Sequence, residues 1–392
     1  YTVVPKNKPF DQLVTFLAER PEDGGIIYSL SRKRVEELAG KLTAKGIAAV
    51  PYHAGLPTFE RTRAQEAFQR DDLRVVVATV AFGMGIDKPN VRFVVHYDIP
   101  KNIEGYYQET GRAGRDGLPA EARLLYGAGD IALCRSLIES SGNEDQKRIE
   151  LHKLGAMAGF AEALTCRRRI LLGYFGERLD NDCGNCDICL DPPERFDATE
   201  EARKALSCVH RVGQRFGAGH VIDVLRGADT ERIRTLGHMA LSTYGIGASL
   251  TKDAWGNVFR QLIHLGYLGQ DMGNYAVLRL TEKAFSLLQG KERITLARPR
   301  SVPPSAERKG KGRATLAIPR EGAGLEYKGL FQVLRTLRKK LADEQHVPSY
   351  VVFSDASLRD MAARAPMDLD AFASVAGVGG YKRDRYGEEF LN

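Results

Sequence analysis

The chain has 392 residues, 43% hydrophobic and 27% charged, and a formal net charge of +7. A single core rarely serves more than about 250 residues, so two to four soluble domains are expected; no apolar run approaches the roughly 20 residues of a membrane-spanning helix. Between Lys291 and Arg320 nine basic residues stand against two acidic ones, which makes the basicity local and points to a polyanionic partner.

The first residues, YTVVPKNKPFDQL, carry no initiator Met and no apolar signal core, and read as a cut edge. From Phe10 to Tyr126 short β-rich runs alternate with amphipathic segments. GIIYSL precedes SRKRVEELAGKLTAKG, whose Val35, Leu38 and Leu42 share a helical face and whose Gly46 suits a C-terminal stop. RVVVAT, VRFVVHYD and ARLLYG are all-apolar runs of the kind that parallel sheets bury on both faces, so residues 1–130 are predicted to form an α/β lobe.

Residues 131–195 turn helical and then cysteine-rich, ending at the two prolines of LDPPERF. Residues 196–290 read as helices followed by a hairpin: DAWGNVFRQLIHLG is amphipathic, and YLGQDMGNYAVLRLT gives two strands around a Gly-Asn turn, which together describe a winged helix. Residues 291–324 are rich in Pro, Gly, Lys and Arg without apolar period and read as a basic flexible linker. Residues 325–392 carry amphipathic helical stretches and a Gly-Val-Gly turn into a basic helix, giving a small all-α domain.

Four of the six cysteines form C-x16-C-x2-C-x2-C: Cys166, Cys183, Cys186 and Cys189. Four thiolates suit tetrahedral Zn²⁺, and a set with no open position is structural rather than catalytic. Cys166 falls in AEALTCRRRILLGYFGE, read as helical, so the metal is expected to tie a helix to the following loop. Cys134 and Cys208 stand outside the pattern as ordinary semi-buried thiols. With no disulfide framework, a reducing cytoplasm fits.

YYQETGRAGRDG, residues 106–117, sets Arg112 and Arg115 between glycines. Guanidinium donors match phosphate oxygens, although an isolated Arg-x-x-Arg is ordinarily a solvated turn. In this context the run resembles the sixth conserved motif of superfamily 2 helicases, in the form typical of RecQ DNA helicases, and the likeness extends over essentially the whole chain. The resemblance implies that Gln108, Arg112 and Arg115 act across a cleft on ATP held mainly by another RecA-like lobe, with Arg115 as the arginine finger.

ATVAFGMGIDKPN is similar to the family's fifth motif; this implies that Gly85 and Asp87 face the nucleotide and that Thr79 faces the DNA backbone. IIYSLSRKRVEEL and YHAGL resemble the fourth motif and its companion, which implies single-stranded DNA beside Ser31, Arg32 and His53. His53 by itself reads more readily as a structural histidine. Residues 196–290 resemble the RecQ winged helix, with His238, Ser249, Lys252 and Arg260 as candidate DNA contacts and Tyr275 of the wing as a stacking candidate. The C-terminal segment resembles the HRDC module, with Tyr350, Lys382, Arg383 and Arg385 as candidates for single-strand binding. The family also implies the same four zinc ligands.

No GxxxxGK[ST] occurs, and DEQH at Asp343–His346 follows an amphipathic helical run rather than a buried strand. The expectation is therefore the C-terminal part of an ATP- and Mg²⁺-dependent 3′–5′ helicase acting in recombination and repair, with its first RecA-like lobe missing. Alone, the chain should bind DNA without hydrolysing ATP. Its expected partners are single-stranded DNA, duplex junctions, the missing lobe and single-strand DNA-binding protein, and it is expected to be a monomer associated with the bacterial nucleoid. The competing readings are a non-catalytic zinc and winged-helix binding module, which would have no use for trans-acting arginines, and a zinc transcription factor, which would leave the α/β lobe idle.

Overall fold

A computed structural model describes residues 1–83, 86–139, 144–271, 277–298 and 325–392. The chain divides into two compact units, residues 1–140 with 317–392, and residues 141–316.

The first unit is built on a parallel sheet. Its elements are β1 (Thr2–Pro5), α1 (Pro9–Ala18), β2 (Gly25–Tyr28), α2 (Arg32–Thr43), β3 (Ala49–Tyr52), α3 (Thr58–Gln69), β4 (Val75–Ala78), β5 (Phe93–His96), α4 (Ile103–Thr110) and β6 (Glu121–Tyr126). The strand order is β1-β6-β5-β2-β4-β3, every pair parallel. Strands β2, β4 and β5 are buried throughout because alternate residues serve opposite faces. Ile27, Val75, Val77 and Val95 pack under α1 and α2, whereas Ile26, Val76 and Val94 pack with Phe68 of α3.

A Cβ on Gly25 would lie 2.2 Å from the Phe93 ring, so this strand start admits no side chain. The sequence reading found four of the six strands. It missed β1 and β3, whose residues are mostly half-buried and which include Pro5 and Pro51, so neither offers a continuous apolar run.

Helix α5 (Ala128–Glu139) follows the lobe within the first unit. The second unit holds α6 (Glu144–Ala161), α7 (Arg167–Tyr174), α8 (Asp187–Leu190), β7 (Arg195–Asp197), α9 (Thr199–Arg211), α10 (Ala218–Leu225), α11 (Glu231–Thr235), a 3₁₀ turn (His238–Ala240), α12 (Lys252–His264), β8 (Leu268–Asp271), β9 (Val277–Leu280), α13 (Glu282–Leu288) and β10 (Thr295–Ala297). Helices α9, α10 and α12 enclose one core around Trp255, whose indole N–H donates to the Gly247 carbonyl at 2.8 Å. Strands β8 and β9 form the antiparallel wing; its turn lies outside the described residues.

The linker expected from residue 291 does not begin there. Thr295–Ala297 pairs antiparallel with β7, Ile294 and Leu296 are buried in the winged-helix core, and Ala297 is buried as well. The basic, proline-flanked composition concealed a three-residue strand; residues 299–324 lie outside the described residues.

The C-terminal domain comprises α14 (Leu325–Glu344), α15 (Ser349–Val352), α16 (Asp355–Arg364), α17 (Leu369–Ala373) and α18 (Gly380–Leu391). Phe353 anchors it, with ring contacts to Phe372, Tyr386 and Phe390. The DEQH letters fall at the end of α14 and the turn after it, and form no cluster of potential metal ligands.

Candidate zinc centre and nucleotide-facing edge

The four cysteine Sγ atoms of Cys166, Cys183, Cys186 and Cys189 lie within 4.8 Å of one another, the one such cluster among the described residues. Zn–S bonds of about 2.3 Å set tetrahedral sulfur–sulfur edges of about 3.8 Å. Cys186 and Cys189 stand 3.4 Å apart, and Cys183 and Cys189 3.9 Å, so the donor set fits Zn²⁺. Cys166 does not sit inside a helix as expected. It caps α7, and the chain between Ala161 and Arg167 is non-helical.

Burial pushes the Cys166 thiol up, but backbone N–H groups of Cys183 and Arg169 outweigh this and favour the thiolate. A second staple runs beside the sulfurs. Arg167, next to one ligand, makes a bidentate pair at 2.9 Å on both bonds with Asp187, which lies between two others, and donates to the Phe160 carbonyl at 2.6 Å. Sequence reading missed this pair, because an Arg and an Asp on a charged surface carry no distinguishing pattern.

In the α/β lobe, Ser31, His53 and Thr79 all follow the C-terminal ends of β2, β3 and β4, the edge where parallel α/β sheets commonly bind ligands. Ser31 caps α2, its Oγ accepting from the Arg34 N–H at 3.2 Å, and Arg32 is exposed beside it. His53 is buried: Nδ1 accepts from the Gly55 N–H at 3.2 Å and Nε2 faces Glu36 at 2.9 Å. Both ring nitrogens are engaged, so the histidine shapes the loop beneath Arg32. Asp98, which the sequence reading passed over, follows β5 on the same edge. It collects Lys6, Arg34, the Ser29 hydroxyl and the Leu30 N–H.

The arginine motif follows α4. Gly114 supplies the left-handed turn, φ 72°, that a side chain would oppose. Arg112 is tucked against the Tyr28 hydroxyl, and a Cβ on Gly83 would stand 2.7 Å from its Nη2, so the glycine makes room for the guanidinium. Its Nε is buried with no hydrogen-bond partner. Arg115 donates to Asp87 Oδ1 at 2.9 Å and to the Ile86 carbonyl at 3.2 Å, while Gln108 is exposed on the last turns of α4. The structure thus brings Asp87 and Arg115 together. Gly85 lies outside the described residues.

In the winged helix, His238 is buried and its Nδ1 faces His220 Nε2 at 2.9 Å; burial, then Arg215, lowers its pKa, so the ring is neutral near pH 7. Ser249 is exposed, and Lys252 is exposed with an ion pair to Asp223 at 3.2 Å. Arg260 pairs with Glu162 at 3.0 Å, which spends its charge inside the unit. Tyr275 lies outside the described residues. In the C-terminal domain Lys382 covers the Phe353 ring and burial lowers its pKa. Arg383 pairs with Asp384, Arg385 bonds the Tyr381 hydroxyl at 2.8 Å, and Tyr350 is half-buried.

Comparison with known proteins gives four adjoining family matches: the helicase conserved C-terminal domain over residues 7–117, RecQ zinc-binding over 128–190, the RQC domain over 192–305 and the HRDC domain over 328–392. The RQC match includes the β10 region. An ATP-dependent DNA helicase RecQ of Pasteurella multocida is 47% identical over 393 residues, covering 100% of this chain and 61% of that protein. One of Bacillus subtilis is 37% identical, covering 96% and 60%, and the helicase Q-like 4B of Arabidopsis thaliana is 30% identical, covering 100% and 38%. The chain spans about 61% of the length of the bacterial relative from Pasteurella.

Proposed function

We infer, from a chain that belongs to the RecQ family of DNA helicases, that its α/β lobe is the second, arginine-bearing half of an ATP-driven motor. The observation that carries this reading is Arg112: a buried Nε without a partner, on a guanidinium that fits in the space Gly83 leaves. A donor left unsatisfied there costs stability unless a ligand uses it. Arg115, resting on exposed Asp87, can exchange that carboxylate for phosphate oxygens.

In this reading Gln108, Arg112 and Arg115 act on ATP and Mg²⁺ held by a P-loop lobe that these 392 residues do not supply. Asp87 meets the sugar, and Ser31, Arg32 and Thr79 track single-stranded DNA along the C-terminal edge of the sheet. Zinc, bound by the four cysteines, supplies a fixed tetrahedral crosslink. The second unit then presents the wing and the exposed Lys252 to duplex junctions, and the motor moves 3′ to 5′ in recombination and repair. The working state is a monomer, single-strand DNA-binding protein is a candidate partner, and six unpaired thiols suit a reducing bacterial cytoplasm.

The test adds a separately expressed P-loop lobe of a close relative to this chain. The chain alone is expected to bind DNA and to hydrolyse ATP no faster than buffer, and the mixture to show DNA-stimulated turnover. Turnover by the chain alone would overturn the reading.

A further inference from the structure

Asp87 and Arg115 meet at 2.9 Å, but their side chains are 86% and 38% exposed. An ion pair so open to water contributes little and cannot by itself fix two loops against each other. A second, buried contact joins the same two loops. Arg92, the residue before β5, keeps 6% of its side chain exposed and pairs with the carboxylate of Asp116, which keeps 3%. The backbone of Arg92 is set in the sheet: its N–H donates to the Gly24 carbonyl at 2.8 Å, and its carbonyl accepts from the Glu121 N–H at 3.0 Å.

This one guanidinium reaches both loops. Toward the Asp87 segment, Nε donates to the Asn90 carbonyl and Nη2 to the Pro89 carbonyl, each at 3.3 Å. Toward the Arg115 segment, Nη1 donates to the Pro119 carbonyl at 3.3 Å and Nη2 to Asp116 Oδ2. Asp116 Oδ1 accepts from the Leu118 N–H at 3.1 Å, and on the other side of Arg115 the Gly114 N–H donates to the Val91 carbonyl at 3.0 Å. A buried ion pair is costly unless its remaining donors are used, and here three carbonyls use them. The planar fork of arginine can serve two loops at once, whereas a lysine ammonium acts from a single point.

We propose that Arg92 and Asp116 are positioning residues for ATP turnover, a buried clasp that fixes the segment carrying Asp87 against the turn carrying Arg115 and so aims the Arg115 guanidinium. The aiming rests on reading Asp87 and Arg115 as nucleotide-facing. The clasp itself rests only on the contacts.

Deuterium exchange tests the clasp in the full chain. In Arg92→Lys, whose substitution lies about twenty residues from the turn, the amides of residues 111–118 are expected to exchange at least about tenfold faster, while those of β2 and β4 keep the parent rate. The milder Asp116→Asn is expected to show the same pattern. Unchanged exchange at 111–118 overturns the clasp, and so does a rise shared equally by β2 and β4 in both variants, which would make the pair an ordinary part of the scaffold.

Turnover with the P-loop lobe added tests the aiming. Asp116→Asn is expected to lower DNA-stimulated turnover on the order of tenfold in the parent, because a small misplacement of a reacting group is costly. In an Arg115→Ala background, followed with radiolabelled ATP, the same substitution is expected to cost nothing further. Losses that multiply in the double variant overturn the aiming, as does an unchanged rate in Asp116→Asn. If the unaltered mixture shows no turnover, the helicase reading has failed and the aiming falls with it, while deuterium exchange still decides the clasp.

Discussion

The zinc centre and the arginine edge are both built from polar groups gathered by loops, but one is closed and the other open. Around the metal site the four thiols face one another, and the Arg167–Asp187 pair ties the knuckle to the start of α7 independently of them. Everything the site needs comes from 24 consecutive residues, 166 to 189. At the arginine edge the chain provides donors without an acceptor worthy of them: Arg115 rests on an exposed aspartate, and Arg112 keeps a buried N–H unused. A closed site serves folding, whereas an open one is kept at a cost in stability for a ligand that arrives from outside.

The largest effect that separates the two is on stability. Structural zinc contributes about 10 kcal/mol or more of binding free energy to folding at neutral pH. Cys186→Ala is therefore expected to abolish stoichiometric zinc in elemental analysis and to melt the second unit well below the parent. Unchanged metal content and midpoint would mean that the knuckle holds without its metal. At the open edge the expected pattern is the reverse. Arg115→Ala, in the chain mixed with a P-loop lobe, is expected to lose about 10³-fold or more in ATP turnover while zinc content and melting stay those of the parent. An Arg115→Ala protein that loses stability instead would make the arginine part of the scaffold and erase the contrast.

The same contrast explains what could be read from the sequence. The cysteine spacing is local, so the ligand set is visible before any fold is known, and the motif around Arg112 and Arg115 is visible for the same reason. Arg167 and Asp187 sit beside the ligands, yet nothing in their type or spacing separates them from solvated charges. In the sequence His53 is only a letter in a motif; the fold shows both its nitrogens engaged. Strand β10 hid in a basic segment because three residues give no period, and its pairing partner β7 lies about a hundred residues earlier. The contact between Asp71 and Arg338 joins residues that the chain separates by more than 260 positions, and each looks like an ordinary surface charge until the other is in place.

The smallest predicted effect tests how far the closed site extends into its surroundings. His264, at the end of α12, lies within the second unit beside the helix that leads to Cys166: a Cβ on Gly159 would stand 3.9 Å from its Nε2. Its Nδ1 is buried without a partner. Burial, then the charges of Arg260 and Arg167, pulls its pKa down from 6.5 to about 4. A histidine whose folded pKa is depressed is bound as the neutral ring, so the unfolded chain takes up the proton first. Its contribution to stability is complete above the unfolded value near 6.5 and is lost as the pH falls toward 4. The parent is therefore expected to lose melting temperature more steeply across that interval than His264→Phe, which has nothing to titrate there. Parallel curves for the two proteins would show that the ring reaches solvent and that the closed region ends before α12.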